Sequence, residues 1–176
     1  RQNSGRLLMF FKAMPKMSYK ADDKTITTKD IFRRVSLDRK LNNKLAVNSY
    51  YIKDGETPDI IANNFYSSSK YHWVILTVNE IVNVNEEWPK NQSLLLDYTK
   101  AKYGANNISK DHHYRLVSNK KIIVDYDASA ITDGTIEAVS NIDFEVDENE
   151  KKRQIYVLKP QFLAQFVTNY KSLMAQ

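Results

Sequence analysis

Cysteine is absent, and glycine and proline occur only four times each in 176 residues. Without cysteine there are no disulfide staples, thiolate zinc sites, iron–sulfur clusters or cysteine nucleophiles. Glycine falls well below its usual share of roughly 7%. Gly5, Gly55, Gly104 and Gly134 lie far apart, so no two of them can share a phosphate-cradling loop. Walker A and dinucleotide-binding fingerprints are thereby excluded. No apolar run approaches the roughly 20 residues of a membrane-spanning helix, so no membrane partner is expected. The basic start carries Leu7, Leu8, Met9, Phe10 and Phe11. That stretch is shorter than a signal-peptide core of about 7–15 residues, and no small-residue cleavage site follows. Met9 is a candidate initiation residue.

Apolar residues make up 42% and charged residues 27%, which suits a chain that buries a core. The net charge of +5 and pI near 9.2 admit an acidic partner. Lys and Arg are scattered among acidic residues, whereas nucleic-acid readers cluster their basic charge and interleave stacking aromatics. Nucleic acid is therefore not an expected partner. No cofactor is called for by any motif.

Catalytic constellations are missing. His72, His112 and His113 lack the spacing of a metal set, and HExxH does not occur. Adjacent strand residues such as His112 and His113 point to opposite faces, which makes them a solvated hairpin edge. No serine sits in a GxSxG elbow. Glu56 and Asp59 are close enough to pair, but two carboxylates there serve the start of a helix. The chain does not read as an enzyme.

The expected fold class is α+β. Thr27 and Thr28 supply N-cap oxygens for a short helix carrying Ile31, Phe32 and Val35, with Arg33 and Arg34 on another side. Ser49–Lys53 reads as a strand ending at the Asp54-Gly55 turn. Thr57 caps a helix with Pro58 in its first turn and Ile61, Ala62 and Phe65 on its buried face. Ser67–Ser69 break it, and a second helix follows with Trp73, Leu76 and Val78 inward, ending near Asn79. Ser93–Leu96 reads as a closing strand, and Lys100–Lys110 as a loop. Tyr114–Val117 and Ile122–Tyr126 read as a hairpin, and Asp127–Gly134 as a connection. Asp143–Glu150 leads into Lys151, Lys152 and Arg153, a helix whose dipole is complemented at both ends. Gln154–Leu158 is a short strand. Pro160 opens a last helix with an apolar stripe of Phe162, Leu163, Phe166, Val167, Tyr170, Leu173 and Met174. Four segments follow: an N-terminal arm with a short helix (1–48), a βααβ module (49–98), a loop and β-hairpin region (99–142), and a C-terminal helix–strand–helix (143–176).

The βααβ segment resembles the LysM module, best known for binding N-acetylglucosamine polymers. Its opening pattern Y-x-V-x-x-G-D-T-x-x-x-I-A appears as Tyr50, Ile52, Gly55, Glu56, Thr57, Ile61 and Ala62. Val78-Asn79 stands for the leucine–asparagine that ends the second helix, and Trp88, Pro89, Gln92 and Leu94 for the closing I-x-P-G-Q-x-L. The glycine after the proline is missing, one residue is inserted before Gln92, and Pro58 replaces an apolar residue. These departures border the would-be sugar groove and weigh against carbohydrate binding, for which Tyr51, Trp73 and Trp88 are the aromatic platforms available.

A wider resemblance runs from Ile26 to Met174. ITTKDIFRRV, YYIKDGETPDIIANNFY, KYHWVILTVNE and NEKKRQIYVLKP are similar to segments of the baseplate wedge proteins encoded by gene 53 in T-even-type contractile phages. The resemblance implies a structural subunit of the virion tail baseplate, assembled in the host cytoplasm, that binds other wedge subunits and helps join neighbouring wedges around the hub. The alternative is a LysM module recognising cell-wall polymer. The residues expected to contact partners are Ile31, Phe32, Arg33, Asp54, Gly55, Glu56, Thr57, Arg153, Phe162, Phe166 and Tyr170, combining apolar anchors with arginine hydrogen bonds.

Overall fold

The computed structural model describes residues 14–22, 24–30 and 46–175, and they form an α+β fold. In chain order they build β1 (Lys16–Ala21), β2 (Lys24–Lys29), β3 (Val47–Tyr51), α1 (Pro58–Tyr66), α2 (His72–Val78), α3 (Val84–Glu87) and α4 (Gln92–Tyr103). Then come β4 (Asp111–Leu116), β5 (Ile123–Val124), α5 (Ala128–Thr132), β6 (Ile136–Ser140), α6 (Asn141–Lys151), β7 (Gln154–Leu158) and α7 (Leu163–Ala175). Two compact units result. Of the described residues, the first takes those up to Tyr51, Glu56–Asn85 and those from Ile155 onward, and the second takes Ile52–Gly55 and Glu86–Gln154.

In the first unit, β1 and β2 form an antiparallel hairpin. Thr27 and Thr28 lie in β2 and do not cap a helix. Thr25, Ile26, Thr27 and Thr28 are β-branched in succession, and such residues favour extended backbone over a helix start. The helix expected after them, with Ile31, Phe32 and Arg33, lies outside the described residues. β3 pairs with β7. Backbone bonds from Lys159 to Ala46 and from Ile52 to Arg153, both 2.9 Å, flank the pair and make it antiparallel.

Pro58 opens α1, where its missing N–H costs nothing, and Ser67 ends it in a left-handed conformation (φ 54°). The tyrosine hydroxyl of Tyr66 donates to the carbonyl of Leu158 at 2.9 Å, fastening α1 to β7. Burial raises its pKa. The core of this unit gathers Ile61, Ala62, Trp73, Val74, Ile75, Val157, Leu158, Phe166, Tyr170 and Met174. On α2 the buried residues are Trp73, Val74 and Ile75, whereas Leu76 and Val78 are half-buried. Three consecutive positions span about 200° of the helix circumference, so α2 is covered on more than one side and a single stripe does not describe it.

Ser93–Leu96 is not a strand. It lies in the first turns of α4, whose N-cap Asn91 accepts a hydrogen bond from the Leu94 amide at 2.9 Å. A good cap followed by three leucines, none of them branched at Cβ, outweighs the extended reading. The helix continues to Tyr103, shortening the loop expected from Lys100, and Gly104 ends it at φ +87°. The strand that pairs with β3 is β7, so residues 86–153 of the second unit fall between α2 and β7 in the chain.

The second unit holds a three-stranded antiparallel sheet in the order β5-β4-β6. The expected hairpin is β4–β5. β6 was not expected, and the connection before it contains α5, capped by the Asp127 carboxylate. The expected acidic-to-basic helix is α6, with Ser140 as its N-cap. Among the described residues, no helix is long and apolar enough to cross a membrane.

Candidate subunit-contact residues

The segment joining β3 to α1 carries Asp54, Gly55, Glu56 and Thr57. The Asp54-Gly55 turn needs a positive φ, and Gly55 takes +76° there. Within the second unit, the Arg153 guanidinium donates to Asp54 Oδ1 at 2.9 Å, to the Ile52 carbonyl at 3.2 Å and to Glu150 Oε1 at 2.7 Å. Arg153 is only 9% exposed. Burial disfavours its charge, but Asp54 and Glu150 together outweigh that and raise its pKa. Arg153 thus fastens the 52–54 segment to the end of α6, each of its three guanidinium nitrogens donating inside the unit. It was expected to reach a partner. It closes the charged run NEKKR, yet three acceptors converge on it.

Within the first unit, the Tyr50 hydroxyl donates to both Glu56 carboxylate oxygens at 3.0 and 2.8 Å. Burial and the adjacent Glu56 charge push the Tyr50 phenol up to about 12. Thr57 stands at the N-cap with extended backbone, but makes no side-chain cap bond. Its hydroxyl instead donates to Asp59 Oδ1 at 2.5 Å, a charge-assisted bond within the first turn.

Phe166 and Tyr170 are 2% and 6% exposed. They flank Trp73 with ring centroids 6.1 and 4.7 Å away. Burial raises the pKa of the Tyr170 phenol. These two side chains are core, and the α7 stripe serves its own unit first. Pro160–Phe162 form a separate 3-10 turn before α7, so the expected last helix starts at Leu163. Phe162 is half-buried in that turn, while Leu173 is exposed on α7. Ile31, Phe32 and Arg33 lie outside the described residues. Of the expected contact residues, the fold brings together Asp54 with Arg153, and Phe166 with Tyr170.

Asn79 gains a role that the motif alone did not reveal. Its amide donates to the carbonyls of Ile75 and Tyr156, both at 2.8 Å, and its Oδ1 accepts from the Tyr156 amide at 2.8 Å. The side chain thus pairs with β7 much as a strand residue would. The partner lies 77 residues away, which hides the interaction from any local pattern.

The aromatic platforms considered for sugar binding separate clearly. Trp73 and Trp88 are buried, and Tyr51 is 55% exposed. In the second unit, His112 and His113 do not face opposite ways. The β4–β6 register slips between Asp111 and His113, and this bulge brings consecutive side chains together. Their Nδ1 atoms approach to 2.9 Å, and His112 stacks on Phe144 at 3.9 Å. Burial, His112 and Arg115 lower the pKa of His113, and Asp147 opposes them. Arg115 in turn donates to Glu137 and Asp147, each at 2.6 Å. Among the described residues, no group of three His, Asp or Glu side chains is placed to hold a metal.

Residues 9–125 match the family described as base plate wedge protein 53. The baseplate wedge protein gp53 of Enterobacteria phage T4 is 26% identical over 162 residues, spanning 83% of this chain and 80% of that protein. The similarity therefore runs through both compact units, and places the chain in the phage virion, at the tail baseplate. With more than half of its length matched, the chain belongs to the base plate wedge protein 53 family.

Proposed function

We propose that this chain is a non-catalytic structural subunit that binds other wedge proteins and helps join neighbouring wedges around the hub of a contractile tail. The observation that carries the reading is the match over residues 9–125, extended by the phage T4 relative across most of the chain. The internal use of the polar loop side chains supports it. Asp54 is held by Arg153 and Glu56 by Tyr50, so the carboxylates of the motif loop stabilise the fold. We read β3, α1, α2 and β7 as a LysM-like βααβ unit whose closing strand comes from residues 154–158. Glu56, Thr57, Gly55 and Asp54 then shape a turn, and partner contact falls to exposed surface near it and to Ile31, Phe32, Arg33 and Phe162.

Reconstitution with the remaining wedge proteins of the same phage tests this. Mixtures containing the chain are expected to close into rings visible by negative-stain imaging, and mixtures lacking it to stay as separate wedges. Rings of normal size without the chain would overturn the reading. Saturable retention on insoluble peptidoglycan or chitin would favour a carbohydrate-binding role, for which Tyr51 is the exposed ring.

A further inference from the structure

The β1–β2 hairpin sorts its side chains with little ambiguity. Its register pairs Met17 with Thr28, Tyr19 with Ile26 and Ala21 with Lys24 on one face. The other face carries Lys16 opposite Lys29, Ser18 opposite Thr27 and Lys20 opposite Thr25. The Ser18 and Thr27 hydroxyls, 3.0 Å apart, confirm that these two share a side. Met17, Tyr19 and Ile26 are all exposed, Tyr19 to 46%. The two strands carry four lysines (Lys16, Lys20, Lys24 and Lys29) and no carboxylate. Among the described residues no third strand joins this sheet.

A two-stranded hairpin with an exposed apolar face is marginal in water, so covering the face formed by Met17, Tyr19 and Ile26 would add to its order. The distribution of chemistry narrows the partner. A flat polyanion such as nucleic acid would meet the face carrying Lys16 and Lys20, with the Lys29 ammonium turned to the Met14 carbonyl at 2.6 Å, and leave the apolar face wet. A lipid surface would take the apolar face and leave the lysine face without a counter-charge. A protein cleft with one apolar wall and one acidic wall meets both at once.

We infer that the β1–β2 hairpin is an arm that inserts into such a cleft on a neighbouring subunit of the wedge. The inference rests on the wedge-subunit reading above. Tyr19 and Ile26, directly opposite one another, supply the apolar anchor. Lys16 and Lys20 set the orientation through carboxylates on the opposite wall.

The test uses the full chain and wedges assembled from the other subunits of the same phage. The variant Y19S/I26S is expected to bind those wedges at least tenfold more weakly. K16E/K20E is expected to lose several-fold at low salt, with the loss shrinking as salt is raised. Both should unfold like the wild type, because the substituted side chains are exposed. Hydrogen exchange should show the amides of residues 16–29 slowing only on wedge binding. Unchanged affinity of Y19S/I26S, or no slowing at 16–29, overturns the arm while leaving the wedge reading intact. Full protection of these amides in the free chain also overturns it, since the face would then be covered by the chain itself. Failure of the wild-type chain to join wedges overturns both.

Discussion

Replacing Asn79 by alanine isolates one small connection on which the first unit depends. The side chain makes three hydrogen bonds of 2.8 Å, two of them to the backbone of Tyr156 on β7 and one to the Ile75 carbonyl. A typical net contribution is about 1 kcal/mol per bond. The site is partly open, so water recovers some of the loss at the Tyr156 groups. Asn79→Ala is therefore expected to cost about 2 kcal/mol, a fall of about 1 M in the urea midpoint at an ordinary slope. Asn79→Asp keeps the acceptor for the Tyr156 amide but turns a second oxygen toward two carbonyls. It should be worse than alanine at neutral pH, and should recover in acid as the carboxyl gains a proton to donate. Trp73 belongs to this unit and Trp88 to the other, so fluorescence in a Trp88→Phe background follows the right transition. A change within about 0.5 kcal/mol for both variants, the usual range for unremarkable surface substitutions, would refute the reasoning.

Arg153→Ala should destabilise the second unit by about 3 kcal/mol, because it strands a buried carbonyl and removes the cation between Asp54 and Glu150; unfolding followed by Trp88 emission checks this, and Arg153→Lys should recover only part. Gly55→Ala should cost about 1 kcal/mol from its φ of +76° alone, since an added Cβ meets nothing within 4 Å. Gly55→Asn should cost less, as asparagine tolerates that region, and equal melting of the two variants would count against the argument. The lowered pKa of His113 means that the unfolded chain binds its proton more readily than the folded one. Its contribution is therefore fully present above the unfolded value near 6.5 and declines as pH falls from there toward the folded value. His113→Asn should flatten that part of the stability profile, and an unchanged slope would show that the pair with His112 is not responsible.

Elements whose signals are local were legible in the sequence. Pro58 and the serines after Tyr66 bound α1, and the acidic-to-basic run from Asp143 to Lys151 marks α6. The β4–β5 hairpin followed from its two apolar runs and the Ser118-Asn119-Lys120 spacer. What failed depended on distant partners. Ser93–Leu96 looked like a closing strand because the motif places one nearby, while the actual partner of β3 is at 154–158. β6 was missed because Ile136 and Val139 bury themselves without strict alternation, next to a register slip. Among the expected contacts, Phe166 and Tyr170 were correctly read as an apolar stripe. That stripe packs on Trp73, a pairing that sequence spacing does not encode.

The pairing of β3 with β7 bears on how the chain is made. Tyr66 bonds Leu158 across 92 residues and Asn79 bonds Tyr156 across 77, so the first unit cannot finish its sheet until residues 154–158 leave the ribosome. Residues 86–154 emerge earlier and hold most of the second unit's secondary structure, so that unit is free to assemble while the first waits with Ile61, Trp73 and Ile75 unburied. Closing so long a loop adds only modest entropy, since the cost grows with the logarithm of length. Time is the larger burden, because nascent apolar surface stays uncovered through the synthesis of the entire intervening segment. A chain interrupted before β7 would leave the second unit largely formed and the first as an aggregation-prone remnant.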